Sequence, residues 1–190
     1  MKASIFCFVF VSVFTFSFHT LAVPSPSEVK GVDILKASPI SLSVERHKGL
    51  VLVFLSAKCP CSDSHINEMK ALSKDYPDFA FGAIHSNVDE EISASKTYFE
   101  RVNLPFPVIQ DQNLQLANRF HALKTPHAFV LKANGDILYQ GGVSNSHTFS
   151  KADRKFLREA LDDIDHNRPV TTPEGRTLGC AISRGDKNVW

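Results

Sequence analysis

Apolar and polar residues alternate along Ile40-Ser41-Leu42-Ser43-Val44, the period-two pattern of a strand with one buried face. After a turn at His47-Lys48-Gly49, the run Leu50-Val51-Leu52-Val53-Phe54-Leu55 is continuously apolar and rich in β-branched residues, which predicts a strand buried on both faces. The period then changes. Ile66, Met69 and Leu72 fall on one face of a helix that Ser62 or Asp63 is placed to cap. It ends by Tyr76-Pro77, because the residue before a proline resists the helical conformation. Phe79-Ala80-Phe81-Gly82-Ala83-Ile84 predicts the next strand. Asp89-Glu90-Glu91 sets acidic side chains at the positive end of a second helix, with Ile92, Ser95, Phe99 and Val102 as its buried stripe. A short strand at Phe106–Ile109, a turn at Asp111 and a short helix carrying Leu114, Ala117 and Phe120 follow. Thr125-Pro126 precedes a strand at Ala128–Leu131, and Asn134-Gly135 turns the chain into Ile137-Leu138-Tyr139 as a hairpin. Phe149, Ala152, Phe156, Leu157, Ala160, Leu161 and Ile164 recur at helical spacing and predict one long amphipathic helix.

Crossover helices require parallel strands in the first part of this order, and the hairpin adds antiparallel ones. The expected fold class is α/β, a central mixed β-sheet flanked by helices on both faces, formed by residues 32–167. Residues 168–190 follow as a tail without periodicity that carries Cys180. The composition, 43% hydrophobic and 22% charged over 190 residues, excludes collagen-like, low-complexity and wholly disordered chains. Lys and Arg number 21 against 20 Asp and Glu, so charge gives no support to a nucleic-acid partner.

The first 22 residues are unlike the rest. Met1-Lys2 gives one positive charge, Ala3 to Phe18 has none and holds six of the fifteen Phe residues, and Thr20-Leu21-Ala22 offers small residues for cleavage. This is the layout of a secretory signal peptide (1–22), followed by a linker (23–31) that opens on Val23-Pro24-Ser25-Pro26. The apolar run is short for a span, so no stable membrane span remains after cleavage; an uncleaved anchor is the alternative. Removal of the signal leaves 168 residues with balanced charge and takes Cys7 away. Three cysteines remain, Cys59, Cys61 and Cys180, an odd number for an exported chain, so they cannot all pair internally.

The candidate chemistry lies where the doubly buried strand meets a helix, at Ser56-Ala57-Lys58-Cys59-Pro60-Cys61. A helix start carries unpaired N–H groups and partial positive charge, both of which favour a thiolate. Lys58 adds a neighbouring charge, and Pro60 suits a first helical turn. Cys59 is therefore the candidate nucleophile; an inert buried cysteine is the alternative.

These pieces resemble the thioredoxin superfamily, and within it the redoxin branch of alkyl-hydroperoxide-reductase and thiol-specific-antioxidant-like proteins. The resemblance is carried by Val51-Leu52-Val53-Phe54 with Cys59-Pro60, by Phe106-Pro107-Val108-Ile109-Gln110-Asp111, by Thr125-Pro126-His127-Ala128-Phe129-Val130-Leu131 and by Asn134-Gly135-Asp136-Ile137-Leu138-Tyr139-Gln140-Gly141. Gly179-Cys180-Ala181-Ile182 resembles the ending of exported members. The resemblance implies a thioredoxin-like fold, a cis Thr125-Pro126 bond facing Cys59, and backbone groups of Thr125 presented to a substrate. It implies an exported thiol–disulfide oxidoreductase, periplasmic or otherwise secreted, acting on protein or small-molecule thiols and disulfides. Peroxidase (antioxidant) activity on hydroperoxides is compatible with it but not implied. The chain departs from the pattern at Ser62, where a Cys-x-x-Cys site has its second cysteine. It departs again at Leu52 and Ser56, which stand at a peroxiredoxin's proline and threonine positions. Ser56 is left as a hydroxyl able to donate to the sulfur.

The second sulfur is left open. Cys61 would close a small, readily reduced ring with Cys59. Cys180 sits on a tail long enough to return to the site, and the family likeness, which includes both residues, favours a Cys59–Cys180 bond slightly. A Cys61–Cys180 bond would leave Cys59 free. No cofactor is expected in this reading. Two alternatives stand beside it: a copper-binding chaperone using Cys59, Cys61 and a histidine, His65 or His127, and a redox-inert binding module.

Overall fold

The computed structural model describes residues 28–185. The signal-peptide pattern with Cys7, and positions 23–27 of the expected linker, lie outside them. The strands are β1 (Glu28–Asp33), β2 (Ser38–Ser43), β3 (Gly49–Phe54), β4 (Phe79–His85), β5 (Val108–Gln110), β6 (Lys124–Thr125), β7 (His127–Leu131), β8 (Ile137–Gly141) and β9 (Cys180–Ala181). The helices are α1 (Pro60–Asp75), α2 (Ile92–Val102), α3 (Gln115–Arg119) and α4 (Phe156–Asp165).

Seven strands form one mixed sheet in the order β2-β1-β5-β4-β3-β7-β8. β3, β4 and β5 run parallel, while β1, β2, β7 and β8 add antiparallel pairs. β3 lies between β4 and β7 and is buried on both faces, as its unbroken apolar run requires. Its side chains alternate between two cores. Val51, Val53 and Leu55 pack with Ile66, Met69 and Leu72 of α1, Phe99 of α2 and Leu157 and Leu161 of α4. Leu50, Leu52 and Phe54 pack on the other face with Leu116 and Ala117 of α3, Phe120 and Ile182. The fold class is the expected one, with helices on both faces.

Three expectations change. The linker does not reach residue 31: Glu28–Asp33 is strand β1, paired with β2 and β5, and its mixed composition hid it. Ile92 is 60% exposed rather than buried, because α2 starts there and turns its stripe of Ser95, Phe99 and Val102 inward. The long helix from Phe149 is broken. Phe149–Lys151 is a single 3-10 turn, and Ala152 is extended (φ −82°, ψ 126°). There the Asn145 side-chain oxygen accepts the N–H groups of Asp153 and Arg154, and Glu159 accepts that of Lys155, so α4 begins only at Phe156. The tail, whose order the lack of periodicity left open, is ordered over its described residues. It runs beside β8, where Gln140 N–H donates to Pro173 O and Gly175 N–H donates to Gln140 O, and then crosses to pair β9 with β6.

Candidate active site

The site is assembled from the end of β3, the start of α1, the Thr125-Pro126 corner and the returning tail. Cys59 is itself the N-cap of α1, with extended φ/ψ, and Pro60 takes the first helical position. Neither Ser62 nor Asp63 caps the helix. Ser62 is fully buried in the first turn, and its hydroxyl accepts the Ser56 N–H at 3.3 Å. The order Cys-Pro thus places a sulfur over the open N–H groups of a helix start, with a residue that has no N–H to leave unpaired.

The Thr125-Pro126 peptide bond is cis. The Cys59 thiol, only 2% exposed, donates to the Thr125 carbonyl at 3.2 Å. On the other side of Thr125 lies Cys180, its antiparallel partner in the β6–β9 pair. Thr125 therefore does not present free backbone groups: Cys59 and the tail occupy them. Gly179 makes this approach possible. Its φ of +155° is unfavourable for a side chain, and a Cβ there would run into the Thr125 carbonyl. Beyond β9, Ile182 is buried and its N–H donates to Leu123 O at 2.9 Å, while Arg184 donates to Ala122 O at 2.7 Å and to the Asn118 side chain.

The sulfurs of Cys59, Cys61 and Cys180 consequently lie within 4.8 Å of one another, and all three are free thiols. They are not equivalent. Burial pushes the Cys59 thiol up, but the Cys180 thiol, Thr125 and the backbone N–H groups of Ser62 and Cys180 favour its charged form more strongly, and it settles at about 7. The Thr125 hydroxyl is buried and has no other partner, so it is free to donate to the thiolate. Burial and the neighbouring Cys59 push Cys180 up to about 12. Burial and then Cys59 also raise Cys61, whose sulfur sits 3.4 Å from His147 Nδ1.

Two expected tuning residues act elsewhere. Lys58 Nζ donates to the Asp89 carbonyl at 2.9 Å, so its charge is directed away from the sulfur. The Ser56 hydroxyl donates to Glu90, not to Cys59. Glu90 is the residue sequence reasoning misplaced: it is a buried anchor, not a helix-start charge. Its carboxylate accepts from Ser56, from Ala57 N–H at 2.8 Å and pairs with buried His85 at 3.1 Å, fixing the loop that delivers Cys59. Burial opposes its charge, yet the His85 and Ser56 hydrogen bonds hold it below the usual carboxylate value. His147 was also missed; a lone histidine in a Ser-rich loop gives no periodic signal.

The histidines proposed as copper ligands do not join the sulfurs. Both ring nitrogens of buried His65 are engaged, Nδ1 by Cys61 O at 2.7 Å and Nε2 by Ser144 Oγ at 2.8 Å, and its ring packs on Phe149. The His127 ring packs at a tilt against Phe129 with centroids 4.5 Å apart, and burial pushes its pKa down to about 4. Among the described residues, the group whose donor atoms converge is the three cysteines.

The thiol-disulfide oxidoreductase ResA of Halalkalibacterium halodurans is 24% identical over 112 residues, 58% of this chain and 64% of that protein. ResA of Geobacillus kaustophilus is 29% identical over 107 residues, 54% of this chain and 59% of that protein. The chain thus matches less than two thirds of either relative's length. Among solved structures, an uncharacterized conserved protein from Geobacillus kaustophilus superimposes with a TM-score of 0.73 at 23% identity, over 84% of this chain and 89% of that one. The AhpC/TSA family model matches residues 27–140, from just before β1 into β8, and takes in Cys59, Cys61 and Pro126. The chain belongs to the AhpC/TSA family, in the redoxin branch of the thioredoxin superfamily.

Proposed function

We propose that the protein is a thiol–disulfide oxidoreductase with Cys59 as the attacking thiolate and Cys180 as the resolving thiol. The observation that carries this reading is the convergence of three free sulfurs within 4.8 Å, one of them at a helix N-cap. The Cys59 thiolate attacks one sulfur of a substrate disulfide, forming a mixed disulfide and releasing the other sulfur as a thiolate that takes a proton. Cys180 then loses its proton and attacks the Cys59 sulfur. The substrate's second thiol leaves, and a Cys59–Cys180 disulfide remains. Two electrons pass from the cysteine pair to the substrate, and an external dithiol, or two monothiols, returns them and leaves as a disulfide.

Both Cys180 and Cys61 interact directly with the Cys59 sulfur; Cys180 is favoured because its pairing with Thr125 holds it against the site and its thiol favours the Cys59 thiolate more than any other side chain does. Substrates are protein or small-molecule disulfides. The pattern of residues 1–22 supports an exported location, and no helix of the described residues is long and apolar enough to cross a membrane. A hydroperoxide substrate draws support from the family alone, since the Ser56 hydroxyl at the corresponding threonine position is held by Glu90.

Incubation of the reduced chain with oxidised glutathione, followed by non-reducing peptide mass spectrometry, tests the reading. The expected product is a Cys59–Cys180 disulfide, with a Cys59–glutathione adduct accumulating in Cys180→Ser. Exchange that survives Cys59→Ser, or a Cys59 that alkylates only after denaturation, overturns it, the second outcome in favour of a redox-inert module.

A further inference from the structure

We propose that Cys59, Cys61 and Cys180 together form a binding site for one copper(I) ion in the reduced protein. This goes beyond thiol–disulfide exchange and does not depend on it. The three sulfurs come from separate places, the N-cap of α1, its first turn and strand β9, yet all lie within 4.8 Å of one another. Three sulfurs bound to one ion at about 2.3 Å in a plane are about 4 Å apart, so little movement is needed to seat it. None is consumed in a disulfide. The site sits at the positive end of α1, which offsets the negative charge that three thiolates and one monovalent ion would leave.

The donor set selects the metal. Thiolates are soft ligands and favour copper(I). Structural zinc sites take four ligands, and among the described residues a fourth does not converge here. His147 Nδ1 touches Cys61 but is not among the donors that all lie within 4.8 Å of one another. Both nitrogens of His65 are already bonded. The ion replaces the thiol protons, which pass to solvent, with no change of oxidation state. Copper and a Cys59–Cys180 disulfide therefore exclude each other, because the disulfide uses two of the three ligands.

The reduced full chain, held without oxygen, is titrated with copper(I) against a chromophoric copper(I) chelator, and the product is examined by X-ray absorption. One retained equivalent with a shell of three sulfurs is expected. Cys180→Ala should cut the affinity by at least the roughly tenfold that even an outer-shell partner of a metal site is worth, and leave two sulfurs. Cys61→Ala should do the same, which guards against a folding defect in either variant, while His65→Asn should leave the affinity unchanged. Equal affinity in the wild type and both cysteine variants overturns the proposal. So does retention of copper by the oxidised chain, or preferential binding of zinc from an equimolar mixture. Disulfide exchange without copper retention overturns this proposal and leaves the preceding function standing; copper retention without exchange does the reverse.

Discussion

Substituting Gly179 by alanine tests whether the tail completes the site. The added Cβ meets the Thr125 carbonyl oxygen, lies 2.7 Å from the Thr125 carbonyl carbon and 3.2 Å from Pro126 N, all backbone atoms that cannot rotate aside. Two relaxations are open. Holding an alanine at φ +155° costs about 1–3 kcal/mol in backbone strain, before any clash is relieved. Releasing the tail instead exposes Ile182, whose burial is worth about 1.5–3 kcal/mol. The two routes are of similar size, so the loss of stability is bounded near 1–3 kcal/mol whichever wins, with Tm falling by about 2–4 °C for each kcal/mol. The chemical effect is larger. With β9 lifted, Cys180 leaves Cys59, drops from about 12 toward the ordinary thiol value near 8.5, and takes with it a donor that favours the Cys59 thiolate. The midpoint pH of alkylation, followed by peptide mass spectrometry, should therefore converge for the two cysteines, falling for Cys180 from about 12 and rising for Cys59 from about 7. The Cys59–Cys180 disulfide should form more slowly by the same measurement. A Gly179→Ala chain that forms this disulfide at the wild-type rate, with the cysteine reactivities unchanged, refutes the reasoning.

Three further outcomes are expected. Lys58→Gln should leave the midpoint of Cys59 alkylation near 7, since Nζ bonds Asp89 O rather than the sulfur; a rise of a full pH unit would restore Lys58 as a tuning residue. Glu90→Gln should lower stability by about 1–3 kcal/mol in denaturant titration, because an amide NH2 then faces the donors of Ser56, Ala57 and His85, and an unchanged midpoint counts against the anchoring role. In the reduced chain the depressed Cys59 contributes stability that is full above the unfolded thiol value and is lost as pH falls through about 7. The raised Cys180 contributes stability that is full below the unfolded value and declines as pH rises through about 12. Relative to a Cys59→Ala/Cys180→Ala chain, stability should therefore rise from pH 6 to 8.5 and decline above it; a flat difference refutes both shifts.

The sheet was legible wherever periodicity was strong. The unbroken run of β3 and the Asn134-Gly135 turn announced themselves, and Cys59 followed from the meeting of strand, proline and helix. β1 was hidden because Glu28-Val29-Lys30-Gly31 reads as surface chain, and it is strand only because β2 and β5 supply partners on either side. The break before α4 was hidden for a different reason. Phe149 and Phe156 keep helical spacing, but Asn145 takes the backbone N–H groups that would have bridged them. At the site, adjacency favoured Lys58 and the family resemblance favoured Ser56 as tuning groups, while Glu90, 34 residues beyond Ser56, had already claimed the hydroxyl. Pairing between Cys59 and Cys180 across the fold depends on β6 and β9, each two residues long and without a pattern of its own.

The shortness of that pairing sets a clock for the site. Beyond β9 the segment is secured mainly by Ile182 and the two Arg184 hydrogen bonds, far less contact than holds β3. An anchor worth about 3 kcal/mol corresponds to a detached population on the order of one molecule in a hundred, since about 1.4 kcal/mol is a factor of ten. Such local opening is a separate, low-energy event from global unfolding, and amide hydrogen exchange at Ile182 would report it while β3 stays protected. During each opening the Thr125 edge is bare and Cys59 faces solvent without its resolving thiol. A folded protein substrate would engage in those intervals, whereas a small disulfide need not wait for them, so substrate size becomes a kinetic selector written into two residues of strand.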